Sequence, residues 1–66
     1  MKTNIQVFVN GIEVKTNEEF NEIGDTMGWD LINYIDNNID KLFEEELMCS
    51  MLLSYEGHHI KLIKNV

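Results

Sequence analysis

The stretch IQVFVNGIEVKT, residues 5–16, decides the fold. Apolar residues alternate on both sides of Asn10-Gly11, and a two-residue type I′ turn needs positive φ at both central positions, which Asn and Gly tolerate. Residues 4–9 and 12–16 are therefore expected to pair, with Val9 opposite Ile12, Val7 opposite Val14 and Ile5 opposite Thr16. That register gathers Ile5, Val7, Val9, Ile12 and Val14 on an inner face. Asn4, Gln6, Phe8, Glu13 and Lys15 take the other face, where Phe8 is out of character.

The same device recurs at the far end, in SMLLSYEGHHIKLIKN, residues 50–65. With Glu56-Gly57 as the turn, Tyr55 pairs with His58, Leu53 with Ile60 and Met51 with Leu62, which makes a second inner face. Ser50, Ser54, His59, Lys61 and Asn65 point the other way, together with Leu52 and Ile63.

Between the hairpins the pattern becomes helical. Thr16-Asn17-Glu18-Glu19 has the form of a capping box, and Phe20, Ile23 and Met27 follow at helical spacing, so a first helix starts near Asn17. Gly24 and Gly28 predict a break within residues 24–29, with Asp25, Thr26 or Asp30 capping a second helix. In that helix Leu31, Ile32, Ile35, Ile39, Leu42 and Phe43 share one arc at 100° per residue and form its core face. Glu46 would fall in the same arc, so the helix should end near Glu45 and the chain should run extended by Leu47 or Met48. The expected fold is a single small α+β domain, residues 1–66, in the order ββααββ: two antiparallel β-hairpins with two helices packed on one sheet face.

Sixty-six residues bury only about 60% of their unfolded surface, which leaves little stability in reserve. The 44% hydrophobic content is too high for a disordered tail despite the net charge of −7. Cys49 is the single cysteine, so no internal disulfide braces the chain. No window approaches the 18 or so apolar residues of a membrane span, and the alternating start is unlike a signal peptide. Membrane partners are not expected, and the expected location is the cytoplasm of a bacterial host cell. Arg, Ala and Pro are absent while Ile and Asn occur eight times each, the composition that an AT-rich genome produces.

The acids are concentrated in the middle. Residues 17–46 carry ten acids and one base, Lys41, a net −9, while the remaining residues sum to +2. Asp36, Asp40 and Glu44 stand at successive i,i+4 positions, about 6 Å of rise apart, where each like-charge pair costs an isolated helix about 0.2–0.5 kcal/mol. A solvated face is the ordinary reading of such acids. Repulsion along the longest helix of a marginally stable domain favours a second one, in which a partner supplies the positive charge. A row of carboxylates on a rigid helix imitates the anionic track that nucleic-acid-binding proteins grip with Lys and Arg.

In size, acidity, AT-rich composition and this helical Asp/Glu row, the chain resembles the small phage-encoded inhibitors, including anti-CRISPR proteins and other DNA mimics. The resemblance lies in the character of residues 17–46. It implies a non-enzymatic protein that occupies the basic nucleic-acid site of a partner protein, such as the arginines of a CRISPR effector that read a PAM, with no direct binding of nucleic acid. The expected contacts are Glu18, Glu19, Glu22, Asp30, Asp36, Asp40, Glu44 and Glu45. The alternative is a structural or accessory homodimer that associates through Phe8, Leu52 and Ile63 on the open sheet face.

Catalytic and metal motifs are weak. His58 and His59 are adjacent strand residues that point to opposite faces, so they cannot chelate one ion together. Cys49 lies opposite Lys64 in the expected register, away from both histidines, and is expected to be a buried thiol. Glu44-Glu45-Glu46 lacks the alternation and Gly turn of a calcium loop. No metal, cofactor or catalytic residue is therefore expected. Trp29 at the helix junction is expected to anchor the core, and Met27, Met48 and Met51 to fill gaps in it.

Overall fold

The computed structural model describes residues 4–65; Lys2, one of the basic residues counted above, lies outside them. The elements are β1 (Ile5–Val9), β2 (Ile12–Val14), α1 (Asn17–Met27), α2 (Trp29–Glu44), β3 (Ser50–Tyr55) and β4 (His58–Lys64). This is the expected ββααββ order. The strands form one antiparallel sheet in the order β2-β1-β4-β3, so the two hairpins join through their outer members at the centre.

Both turns have the expected type I′ geometry, with φ of 52° and 85° at Asn10-Gly11 and 47° and 82° at Glu56-Gly57. All three predicted pairs of the second hairpin are present, and Val9↔Ile12 and Val7↔Val14 hold in the first. Ile5↔Thr16 does not. β2 stops at Val14 because Thr16 is drawn off to cap α1: its Oγ1 accepts the Glu19 N–H at 3.2 Å, and its hydroxyl reaches the Glu19 carboxylate at 3.2 Å. Ile5 pairs instead with Lys64 of β4.

The core joins Val7, Val9, Ile60 and Leu62 of the sheet's inner face to Phe20 of α1 and Leu31, Ile35, Ile39 and Leu42 of α2. Phe43, Met51 and Leu53 pack partly buried against it. Ile12 has the inner-face parity but stays 72% exposed. It sits on the short edge strand at the turn end, beyond the cover that two helices give a four-stranded sheet.

The helices break within residues 24–29, as expected, but two details of the junction differ from the expectation. Only Gly28 breaks the chain, at φ 105°, while Gly24 lies inside α1. Gly28 is itself the cap of α2 and no side chain bonds there, so Asp25, Thr26 and Asp30 do not cap it. Thr26 instead donates its hydroxyl back to the Glu22 carbonyl at 2.8 Å. Gly24 is needed because the Trp29 indole lies over it: a Cβ there would sit 2.6 Å from the ring.

Trp29 covers that glycine with one side of its ring and leaves 49% of its surface exposed, so it is a half-exposed lid on the junction rather than a core anchor. Met27 and Met48 are also exposed, at the end of α1 and in the α2–β3 connection, and only Met51 fills the core as expected. The helix ends at Glu44 with Glu45 as its cap, as expected; Glu46 and Leu47 form a turn, and the strand starts at Ser50, just past the expected Leu47 or Met48. Cys49, which precedes β3 on this exposed connection, is exposed rather than buried.

Candidate binding surface

The eight expected acidic contacts do not form one patch. Glu18 and Glu19 occupy the first turn of α1 and Asp30 that of α2, where a carboxylate is favoured by the helix dipole without any partner. Glu19 also closes the Thr16 cap. Glu19 and Glu22 border a groove of about 230 Å³ between α1 and β2, floored by Val9, Ile12, Val14, Ile23 and Met27. No sequence motif marks this groove; its one signal is an Ile at the turn end of a short edge strand.

Asp36 belongs to a different setting, a cleft of about 120 Å³ between the helices that it lines with Asn17, Phe20, Asn21, Trp29 and Ile32. Asp40 and Glu44 continue from it along α2, and all three are exposed. At 100° per residue the row drifts across the side of α2 away from Ile35, Asn38 and Leu42, which are buried. Glu44 stands in the last turn, at the negative end of the helix dipole, where a carboxylate is disfavoured. Position in the helix thus accounts for Glu18, Glu19 and Asp30 but not for Glu44.

Glu45 contributes through its backbone. Its carbonyl, with that of Leu42, accepts the buried Lys64 ammonium at 2.8 and 3.0 Å, and Lys64 Nζ also lies 5.8 Å from the centre of the Phe43 ring. Lys64 therefore closes the C-terminal end of α2 and is withdrawn from the surface charge. Its signal in the sequence was its parity with Ile60 and Leu62 on the inner face of β4. Asn38, also buried, is satisfied within its own helix, donating to the Tyr34 carbonyl at 2.8 Å.

On the open sheet face, Phe8 and Lys61 are cross-strand partners, as are Lys61 and Leu52. Leu52 is 80% exposed, Phe8 and Ile63 are half-buried, and a shallow depression of about 410 Å³ runs past Phe8, Leu52, His59 and Lys61. At one end Asn10 clasps the other hairpin. Its side chain accepts the His59 backbone N–H at 2.9 Å and meets His58 Nδ1 at 3.1 Å, so one turn is bonded to the residues after the other.

Tyr34 and Tyr55 stack with ring centroids 4.6 Å apart. Partial desolvation of the half-exposed Tyr55, then the nearby Glu56 and Asp30 carboxylates and Tyr34, raise its pKa above the ordinary 10.0. Among the described residues no group of three or more His, Cys, Asp or Glu is placed to hold a metal ion, and no helix is long and apolar enough to cross a membrane. No protein-family model matches the chain, and no curated protein or solved structure matches it.

Proposed function

We propose that this chain is a non-enzymatic binding protein that places the outer side of α2 in the basic nucleic-acid-binding site of a partner protein, as anti-CRISPR and other DNA-mimicking phage inhibitors do. The observation that carries this reading is the row Asp36, Asp40, Glu44: three exposed carboxylates one helical turn apart, ending where the helix dipole opposes them. Asp36 begins the row beside the half-exposed Trp29, which adds an apolar contact of the kind that anchors protein interfaces. The partner is a protein rather than nucleic acid, whose phosphates the acids repel. The setting is the cytoplasm of a bacterial host.

The test is a pull-down from that host with Asp36→Asn/Asp40→Asn/Glu44→Gln beside the wild type. The variant is expected to be as stable as the wild type or more so, because the like-charge contacts are gone, and to lose a basic nucleic-acid-binding partner. Wild-type binding should weaken as salt shortens the Debye length from about 10 Å at 0.1 M to about 3 Å at 1 M. Equal retention of the partner by both proteins at low salt would reduce the row to a solvated face.

A further inference from the structure

The sheet has two edges of opposite character. β2 is three residues long with Glu13 at its centre, a short charged edge of the kind that discourages pairing. β3 is six residues, SMLLSY, without a charge, a proline or a glycine, and among the described residues no strand pairs with it on the side away from β4.

The backbone groups on that side follow from the register. Tyr55 and His58 flank a two-residue turn and exchange hydrogen bonds, and the Lys64 N–H reaches the Cys49 carbonyl at 2.7 Å. Odd-numbered residues of β3 therefore bond to β4, and the N–H and C=O groups of Ser50, Leu52 and Ser54 point outward. These three are spaced symmetrically about Leu52, whose side chain is 80% exposed.

We infer that β3 is a self-association edge whose occupant is β3 of a second copy, antiparallel about a two-fold axis at Leu52. In that register Leu52 faces its own counterpart, each Ser50 faces a Ser54, and each Met51 faces a Leu53. Every outward N–H and C=O of the strand gains a partner, which gives six hydrogen bonds across one continuous eight-stranded sheet. No like charges stand opposite each other along the pairing: Glu56 falls opposite Met48. The side of α2 toward this edge carries Asp30, whose carboxylate acts on Tyr55, then Tyr34, stacked on Tyr55, and Lys41 two turns further along, while the Asp36–Asp40–Glu44 row lies away from it. An uncharged, self-complementary strand suits a second copy of a chain that carries −7 and would otherwise repel itself. This interface is independent of the partner proposed above and leaves the exposed Asp36–Asp40–Glu44 side of α2 in each copy uncovered.

The experiment is a concentration series of the wild-type chain followed by sedimentation and by residue-resolved amide exchange. A dimer is expected in which the amides of Ser50, Leu52 and Ser54 slow with rising concentration while those of Met51, Leu53 and Tyr55 are already protected at low concentration. Added salt should strengthen this association, the opposite of its effect on a basic partner. Ser50→Lys/Ser54→Glu should retain the dimer, because unlike charges then face each other, whereas Ser50→Lys/Ser54→Lys should weaken it by about tenfold or more. The inference is overturned by a monomer at the highest concentration reached. A dimer whose Ser50, Leu52 and Ser54 amides remain fast, or one that treats the two charge variants alike, overturns it equally.

Discussion

The two hairpins meet the same two demands, reversing the chain and closing a helix end, with different residues. The first reverses at Asn10-Gly11, where Asn tolerates the left-handed φ of 52° and its side chain adds bonds to His58 and His59. It then closes the start of α1 with Thr16, three residues from the Glu19 amide that it accepts. The second reverses at Glu56-Gly57, where Glu takes the corresponding conformation at φ 47°. It closes the end of α2 with Lys64, which is 22 residues from Leu42 in sequence and 3.0 Å from its carbonyl. The first hairpin works by local chemistry, whereas the second depends on the assembled sheet. Its helix cap therefore exists only when β4 is docked between β1 and β3.

The sharpest way to break this contrast is to remove both caps in turn. Lys64→Met keeps most of the apolar stem but deletes the donors to Leu42 and Glu45, which should cost about 1.5–3 kcal/mol in denaturant unfolding. Thr16→Ala should cost about 1 kcal/mol. Helicity should then be lost at different ends, with amides of the α2–β3 connection exchanging faster in the first variant and those of the first turn of α1 in the second. An equal effect of the two would mean that the Lys64 ammonium contributes no more than a neutral cap.

The turns offer a smaller effect of opposite sign. Glu56→Asn should stabilise the chain, by on the order of 0.5–1 kcal/mol, because Asn adopts left-handed φ at less cost than Glu. Thermal unfolding should register the gain. A loss would show that Glu56 contributes through a contact that outweighs its conformation.

The smallest effect concerns pH. The Tyr55 hydroxyl has its pKa raised on folding, so the folded state holds this proton more tightly than the unfolded chain does. Its contribution is fully present below the ordinary pKa of 10.0 and is lost as pH rises through the higher folded value. Stability of the wild type should decline above about pH 10 more than that of Tyr55→Phe, which pH-dependent unfolding would reveal. Parallel curves would place the alkaline loss elsewhere.

Much of the fold was legible because its signals are short-range. Asn10-Gly11 and Glu56-Gly57 set both registers, Thr16 and Glu19 mark a helix start, and the arc from Leu31 to Leu42 names the buried side of α2. The candidate site was legible as charge and not as place. Ten acids in residues 17–46 stand out in the sequence, but their division into helix-start carboxylates, a groove rim beside β2 and the row along α2 depends on how α1 lies against α2.

By itself, then, the sequence determined what neighbours three or four residues apart, or across a two-residue turn, can settle: turn type, strand alternation, the first helix cap and the apolar side of the second helix. Only the tertiary structure decided that β1 pairs with β4, that Ile5 exchanges Thr16 for Lys64, that Ile12 and Trp29 stay outside the cover of the core, and that β3 rather than β2 presents a long uncharged edge. The physical reason is that these outcomes depend on covering one sheet face with two short helices. Where that cover stops, an inward-facing residue remains in water, and where it closes, even a lysine is buried because two carbonyls at the end of α2 accept its ammonium.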